Sequence, residues 1–307
     1  MIACANSITK QTNRSIRQPS LKLKELNMAN PQIKNEFKDQ SRWNNYGREY
    51  LEILNKEPSK GIIELQKKAK KYGKILGKLS LGVEGKKILD LGCGEGELSI
   101  VLSKLGGIVI GIDMGSDLIE LAKKLATINN ENCQFMAGDV CQLPFPNNEF
   151  DFVVGSGILH HLSSAGVRDA LKETHKVLKN GGIAFFTEPI EDNKVVNYLK
   201  NFIPMGTPGS HKYRPSILQR KRWKEYLINL DDRHLSTKEL IDAKGDFQNV
   251  NFDYYGVLSR AGKLLPEKSR RKIAKTLNKL DPVLLSKFPL ARELAGQAII
   301  TYYKALN

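Results

Sequence analysis

The chain has 307 residues, 41% apolar and 26% charged, which is typical of a globular protein and excludes a disordered or fibrous chain. No apolar run approaches the roughly 20 residues of a membrane-spanning helix, so we expect no transmembrane segment. The four cysteines (Cys4, Cys93, Cys133 and Cys141) form no C-x-x-C pair and no cluster with the five histidines. We therefore expect no metal site, no disulfide framework and a cytoplasmic location.

The net charge of +15 is unevenly distributed. Residues 88–190 carry 13 acidic and 7 basic side chains, whereas residues 191–292 carry 21 basic and 11 acidic ones. Residues 1–24 hold five basic side chains and no acid. A mildly acidic centre between basic flanks would attract an anionic partner or substrate.

The first forty residues form a basic extension that lacks hydrophobic periodicity and is rich in Asn, Gln, Ser and Lys, so we expect residues 1–40 to be disordered. The acid-free start is typical of an organelle transit segment, and it is equally compatible with an extension ahead of Met28.

Residues 41–85 predict two helices. The first runs from Arg42 to Leu54 and carries its large side chains on one face, at Trp43, Tyr46, Tyr50 and Leu54. Such a stripe either faces a core, which we favour, or forms an aromatic lid over a ligand. The second runs over 60–79 with a lysine-rich face. It either docks on its own domain, which we favour, or lies on a membrane surface.

Residues 86–190 alternate between strand and helix patterns. Strands are predicted at 87–91, 108–112, 133–137, 150–155 and 182–188, and helices at 97–105, 116–128 and 166–178. This alternation predicts a doubly wound parallel sheet.

Residues 191–307 add two further strands, at 249–258 and 297–303, and helical insertions at 191–245 and 262–290. If the sixth strand is parallel to the first five, both insertions leave the sheet at its carboxyl edge, where open α/β sheets bind ligands. We therefore expect an α/β fold with seven strands, N-terminal helices and a basic C-terminal helical cap.

A glycine turn follows the first strand, in the run Asp90-Leu91-Gly92-Cys93-Gly94-Glu95-Gly96. Glycine tolerates positive φ and lets a ligand approach the backbone. A dinucleotide fingerprint requires G-x-G-x-x-G, whereas here the third glycine comes one residue early and position 97 is Glu. The spacing therefore argues against NAD or FAD.

Two carboxylates follow later strands. Asp113 ends the second strand, where an ionised acid can accept both hydroxyls of a ribose. Asp139 follows the third strand within Gly138-Asp139-Val140, where it could accept the exocyclic amine of an adenine. Each Asp alone could be a helix cap or loop residue, but the two together indicate a nucleoside site.

These segments resemble the successive motifs of class I S-adenosylmethionine-dependent methyltransferases, and the subgroup called methyltransferase type 11 in particular. The resemblance covers roughly residues 86–190 and rests on the glycine turn, Gly111-Ile112-Asp113, Gly138-Asp139-Val140-Cys141-Gln142-Leu143-Pro144-Phe145, and the run from Phe150-Asp151 to His160-His161-Leu162. It implies a Rossmann-like methyltransferase fold and S-adenosyl-L-methionine as cofactor.

The resemblance also implies roles for individual residues. The methionine moiety of the cofactor would lie along the turn formed by Gly92, Cys93 and Gly94, which follows Asp90. Asp113 would hold the ribose, Met114 would pack on the adenine, and Asp139 with Val140 would bind the adenine edge. Gly155 and Ser156, at the end of the fourth strand, would line the methyl-transfer site.

In-line displacement at a sulfonium methyl needs positioning, exclusion of water and removal of a proton from the acceptor. His160 and His161 lie where that proton acceptor is expected, although either could instead hydrogen-bond the loop. Of the two we favour His161. Glu188, which ends the fifth strand, is a second candidate base or substrate ligand, and His211 is a more distant one.

The acceptor is the open part of the prediction. We expect an oxygen or nitrogen of a small metabolite, natural product or modified peptide, and an anionic acceptor would suit the basic cap. The alternatives are RNA and a membrane lipid or quinone, reached through the basic flanks, and a protein that has lost catalysis. Amino-methylation of nucleic acid is disfavoured. Enzymes that methylate exocyclic amines of bases usually carry a [DNS]-P-P-[FYW] motif after the fourth strand, where this chain has Gly155-Ser156-Gly157-Ile158.

Overall fold

The computed structural model of the chain describes residues 31–69, 72–79, 82–190, 235–258, 276–277 and 280–306. The chain divides into two units, Met1–Asp39 and Gln40–Asn307, and the fold below is that of the second. Most of the helical cap expected in 191–290 lies outside the described residues, as do its basic clusters and His211. The extension expected at 1–40 is described only from residue 31 onwards.

Every strand expected from the sequence is present, and the seven form one sheet. In chain order they are β1 (Lys87–Leu91), β2 (Ile108–Asp113), β3 (Gln134–Ala137), β4 (Phe150–Ser156), β5 (Leu178–Pro189), β6 (Asn249–Tyr255) and β7 (Gln297–Tyr303). Their order in the sheet is β3-β2-β1-β4-β5-β7-β6. The seven-stranded α/β fold is confirmed.

Strand β7 alone runs against the others, because its pairings with β5 and β6 are antiparallel and all other neighbouring pairs are parallel. It follows that β6 is parallel to β1–β5. The carboxyl ends of those six strands therefore meet at one edge of the sheet. The chain leaves both β5 and β6 at this edge, which is the condition that the expected cap required.

Seven helices accompany the sheet in the described part of the chain. They are α1 (Pro31–Lys56), α2 (Ser59–Ala69), α3 (Gly73–Leu79), α4 (Glu97–Lys104), α5 (Ser116–Ile128), α6 (Ser164–Val177) and α7 (Thr237–Asp242). Residues 280–287 are also helical, and short 3₁₀ turns cover Leu159–His161 and Pro289–Leu294.

Two helix predictions were wrong in their limits. Helix α1 begins at Pro31, so the disorder expected over 1–40 does not extend to residues 31–40. Proline suits the first helical turn, because its fixed φ is helical and its missing N–H would be unpaired there. The single helix expected over 60–79 is two helices, and the second begins at Gly73, a residue type that weakens helix interiors.

The core lies on both faces of the sheet. On one face Leu89, Val153 and Ile300 pack in the same buried cluster as residues of α6 and α7. On the other face α3 and α4 cover the strands, and α1 and α2 pack beside α5, where Leu54 is fully buried.

Helix α3 docks on its own domain, which was the favoured interpretation of the lysine-rich helix. Its apolar side chains Ile75 and Leu79 are buried. Its Lys78 Nζ lies 2.7 Å from Asp253 Oδ2 on the edge strand β6. Its Lys74 Nζ lies 4.2 Å from the ring centroid of Tyr255 on the same strand. The lysine face is thus partly used for packing.

Candidate active site

The turn after β1 is built from three glycines with positive φ, at 63° for Gly92, 53° for Gly94 and 77° for Gly96. A Cβ at Gly94 would meet nothing within 4 Å, so this residue faces open space. A Cβ at Gly92 would lie 2.6 Å from Ile158 Cδ1, and one at Gly96 would lie 2.7 Å from the Phe135 ring. Gly94 is therefore where a ligand can approach the backbone, whereas Gly92 and Gly96 allow close packing.

Cys93 was expected to pass the methionine moiety, and the structure leaves only its main chain for that role. Its side chain is buried and lies against Gly111, where an added Cβ would be 2.9 Å from Cys93 Sγ. The Cys93 N–H donates to Ile112 O at 3.1 Å, which ties the turn to the end of β2.

Asp113 joins the glycine turn to the loop after β2. Its Oδ2 accepts the Gly94 N–H at 3.0 Å, and its Oδ1 accepts the Gly115 N–H at 2.8 Å. Burial raises the pKa of this carboxyl, and the two N–H donors act in the opposite direction. An ionised carboxylate has about four lone-pair sites, so acceptor capacity remains for ribose hydroxyls.

The expected adenine contacts lie beside Asp113. Met114 is 51% exposed, unusual for so apolar a side chain. Asp139 is exposed, and its Oδ1 accepts the Cys141 N–H at 2.8 Å. Val140 has its side chain in the core, so only its main chain could contact an adenine edge. The Gly138 N–H donates to Asp113 O at 2.9 Å, which holds the loops after β2 and β3 together.

Asp90 lies beneath the turn rather than at its surface. It is 2% exposed, and its Oδ2 accepts the Ser99 hydroxyl of α4 at 2.7 Å. The direct cofactor contact expected of Asp90 is therefore not possible in this structure. Its carboxylate instead orients the helix that begins after the glycines.

A second group of polar residues lies at the ends of β4 and β5. Ser156 ends β4 and is half-buried, as expected of a residue that lines a site. Glu188 of β5 reaches across to the loop after β4, where its Oε1 accepts the Ile158 N–H at 2.9 Å and the Leu159 N–H at 2.8 Å. Its Oε2 lies 2.7 Å from His160 Nδ1.

The two histidines differ in their partners. The His160 side chain is 12% exposed and is held by Glu188. The His161 ring lies next to it, with the ring centroids 4.1 Å apart. Burial raises the pKa of Asp113, and the charge of His161 acts in the opposite direction together with the N–H donors. Asp113 at the end of β2, the two histidines after β4 and Glu188 near the end of β5 all belong to the carboxyl edge of the sheet.

Helix α1 contacts the glycine turn. The sequence left two interpretations of its aromatic stripe open, a face toward the core and a lid over a ligand. Leu54 is fully buried in the core, whereas Tyr46 is 38% exposed and its hydroxyl lies 3.2 Å from Glu95 Oε2 in the glycine turn. The stripe therefore faces the core at Leu54, and at its other end Tyr46 contacts the glycine turn. The Trp43 side chain lies outside the described residues.

Two site residues had no signal in the sequence. Ile158 covers Gly92, and Ser99 holds Asp90, and both contacts depend on distances between strands and helices. The contact of Ile158 with Gly92 could have been indicated only by a pattern of small residues near a bulky one, here Gly92 and Gly155 near Ile158.

Neither a metal nor a membrane span is supported in the part of the chain that the structure describes. Among these residues no three His, Cys, Asp or Glu side chains are grouped as metal ligands would be. No helix among them is long and apolar enough to cross a bilayer.

Comparisons with known proteins show what the chain is similar to. Residues 88–182 match the family model described as a methyltransferase domain. The chain is 32% identical over 151 residues to the ubiquinone biosynthesis O-methyltransferase of Coxiella burnetii (strain RSA 331 / Henzerling II), which covers 47% of this chain and 63% of that protein. It is 39% identical over 109 residues to the demethylmenaquinone methyltransferase of Staphylococcus carnosus (strain TM300), which covers 34% and 44%. The chain thus spans less than two thirds of these curated relatives.

The fold has a counterpart among solved structures. The PH0226 protein from Pyrococcus horikoshii OT3 superposes with a TM-score of 0.51 at 16% identity, covering 78% of this chain and 90% of that one. At such identity the likeness concerns the fold alone. The glycine turn, the strand order and the match over residues 88–182 all agree with the resemblance of this core to class I S-adenosylmethionine-dependent methyltransferases.

Proposed function

We propose that the protein transfers a methyl group from S-adenosyl-L-methionine to an oxygen or nitrogen of a small acceptor. The observation that carries the proposal is the pairing of two sites at one edge of the sheet. An open glycine, Gly94, lies beside Asp113, and a carboxylate-bound histidine, His160, lies two strand ends away.

The residues present fit the cofactor. The methionine moiety would pass the open backbone at Gly94, the ribose hydroxyls would be accepted by Asp113, and the adenine would lie between Met114 and Asp139. When bound, the cofactor supplies an electrophilic methyl on a sulfonium. The protein's part is then to orient the acceptor, exclude water and take the acceptor's proton.

His160 is the better candidate for the proton acceptor, in preference to the favoured His161. Because a carboxylate oxygen accepts, the His160 Nδ1 donates to Glu188 and its Nε2 is left to take a proton. The bound cofactor would supply the methyl group to the acceptor oxygen and would keep the electrons of its carbon–sulfur bond. The acceptor proton goes to His160 Nε2.

The relatives favour one of the alternatives for the acceptor. Their names refer to ubiquinone biosynthesis and to demethylmenaquinone. We therefore propose a hydroxylated, quinone-type or phenolic ring as the acceptor class, in preference to a phosphorylated metabolite, a peptide or RNA.

The three described cysteines, Cys93, Cys133 and Cys141, are free thiols, which supports a cytoplasmic location.

Calorimetry with S-adenosylmethionine is the direct test of the donor. We expect saturable binding by the purified full-length chain, and no heat of binding would refute the proposal. The acceptor is tested next with labelled cofactor against three mixtures: hydroxylated quinones and phenols, phosphorylated amines, and total RNA. Methylation confined to the first mixture is expected. Label in RNA alone would overturn the acceptor class but leave the donor intact.

A further inference from the structure

Glu188 makes three hydrogen bonds at the ends of β4 and β5, and its position suggests a role different from that of a base. Its side chain has no exposed surface and receives donors on both oxygens. We propose that Glu188 is a positioning residue that sets the proton on His160 and seats the loop after β4 on the cofactor turn. The inference rests on the proposed methyl transfer.

The first half of this role concerns the proton of His160. Glu188 Oε2 lies 2.7 Å from His160 Nδ1, and a carboxylate can only accept at that contact. The proton is thereby held on Nδ1, and Nε2 is left unprotonated. Without this partner a neutral imidazole would distribute its proton between the two nitrogens, and only one of the two forms could act as a base.

The second half concerns the loop. Glu188 Oε1 accepts the N–H groups of Ile158 and Leu159, which are two consecutive residues of the turn that follows β4. The Ile158 side chain lies against two glycines, since an added Cβ would be 2.6 Å away at Gly92 and 3.0 Å away at Gly155. Through Ile158, the same carboxylate that orients the base also supports the first glycine of the cofactor turn.

Glu188 cannot itself serve as the base in this arrangement. Both oxygens already accept, and no part of the side chain is accessible to an acceptor molecule. A proton taken up by Glu188 would also replace an accepting oxygen by a donor that faces one of its present donors. The geometry therefore assigns the base to His160 and the positioning to Glu188.

The substitution Glu188→Gln separates the two halves of the role. The glutamine oxygen can still accept from Ile158 and Leu159, so the loop remains anchored. The glutamine NH₂ then faces His160 Nδ1 as a donor, which moves the imidazole proton to Nε2. Glu188→Ala removes both functions, and His160→Gln removes the base while leaving Glu188 in place.

The expected results differ between the variants. Glu188→Gln should bind S-adenosylmethionine within about threefold of wild type but lose roughly 100-fold or more in kcat, as His160→Gln should. Glu188→Ala should bind the cofactor at least about fivefold more weakly, because the loop loses two hydrogen bonds. The double variant Glu188→Gln/His160→Gln should be no slower than His160→Gln within about threefold, since Glu188 acts through His160.

A readout that needs neither cofactor nor acceptor is NMR of the ring nitrogens of His160 in isotopically labelled protein. Nitrogen–proton correlation spectra should place the proton on Nδ1 in the wild type and on Nε2 in Glu188→Gln. If the proton stays on Nδ1 in that variant, or if the double variant is far slower than His160→Gln, the positioning role is wrong. Failure to bind cofactor with the tautomer change intact would instead refute the proposed function alone.

Discussion

Asp113 lies where two loops meet, and its carboxylate accepts one N–H from each. Asp90, only one strand away, is buried and holds Ser99. Glu188 is buried too but holds a histidine and a loop. Three carboxylates near the ends of parallel strands therefore have different roles, because each role is determined by the donors that other segments place around it. Of the three, Asp113 alone retains access to a ligand.

Replacing Asp113 by Ala should abolish cofactor binding. The change removes the ribose acceptor and also frees the N–H groups of Gly94 and Gly115. Calorimetry with S-adenosylmethionine measures the loss, and we expect at least about a 100-fold weaker affinity from several lost charge-assisted bonds. Asp242→Ala is the matched control, because Asp242 is an exposed acid on α7 that pairs with Lys238. Equal affinities in the two variants would rule out the assignment.

Cofactor affinity should fall at mildly acidic pH. Burial raises the pKa of Asp113 above its usual value, so protonation begins at a higher pH than for an exposed aspartate. The ionised form accepts ribose hydroxyls, and the protonated form loses acceptor capacity, so binding weakens as pH falls through the raised pKa. The dissociation constant is measured against pH, with Asp113→Asn as the variant that cannot titrate. An affinity that stays constant down to pH 4 would contradict the role of Asp113.

Two glycines of the turn should respond differently to alanine. Gly92→Ala combines positive φ with a contact of 2.6 Å to Ile158, so we expect a loss of about 2–5 kcal/mol in the free energy of unfolding. Gly94→Ala has the same backbone strain, about 1–2 kcal/mol, but no steric conflict. Its new methyl group instead enters the ligand space, so it should lose cofactor affinity. Denaturant titration and calorimetry separate the two effects, and equal destabilisation would contradict the geometry.

At the scale of elements, helix α1 lies against the start of α5 through a glycine. A Cβ at Gly47 would be 2.9 Å from the Asp117 carbonyl carbon, and Asn44 Oδ1 accepts the Asp117 N–H at 3.3 Å. Arg48 NH2 lies 2.9 Å from Asp117 Oδ2, but such an exposed ion pair contributes little. Close backbone approach, rather than charge, therefore holds α1 where Tyr46 reaches the glycine turn.

Gly47→Ala should destabilise the protein although alanine is the better helix former. The steric conflict with the α5 backbone costs about 1–3 kcal/mol, which outweighs a helix-propensity gain of about 1 kcal/mol. Gly77→Ala on α3 is the control, because its Cβ would meet nothing within 4 Å. That variant should gain about 0.5–1 kcal/mol. Denaturant unfolding of both variants provides the comparison, and stabilisation by both would show that α1 does not pack as described.

At the scale of the whole molecule, the position of β7 between β5 and β6 closes the core. Tyr302 of β7 is fully buried, and its hydroxyl donates to Leu240 O of α7 at 3.1 Å. Phe247 lies beside it, with ring centroids 5.1 Å apart. This contact joins the last strand to a helix sixty-two residues earlier in the chain. The C-terminal strand thus completes the sheet and one of its helical layers together.

Tyr302→Phe should cost about 1–2 kcal/mol in the free energy of unfolding, since it leaves the buried Leu240 carbonyl without this donor. Cofactor affinity should be unchanged, because the contact lies away from the glycine turn. The neighbouring Tyr303→Phe is the control, because Tyr303 is only half-buried, and we expect a change within about 0.5 kcal/mol. A shift in cofactor affinity in Tyr302→Phe would show that the C-terminal strand is coupled to the site.

The fold was predictable because its signals are local. The strand at 297–303 and the helix at 116–128 have the predicted limits, since alternation and helical periodicity are properties of short windows. The start of α1 at Pro31 was missed, because the composition of the preceding residues outweighed a proline in the first turn. The antiparallel direction of β7 could not be read locally, because strand direction depends on connections across the chain.

By itself, the sequence predicted the segments that form the proposed methyl donor site. The three closely spaced glycines, Asp113 and Asp139 each follow a strand, and parallel strands bring their carboxyl ends to one edge. Only the tertiary structure favoured His160 over His161 as the proposed base and placed Asp90 beneath the turn. Those assignments depend on which donors and acceptors lie within 3 Å of each other. For example, β5 places Glu188 against His160, although the two are twenty-eight residues apart in the chain. Hydrogen bonds over such separations are made by packing, which sequence spacing does not encode.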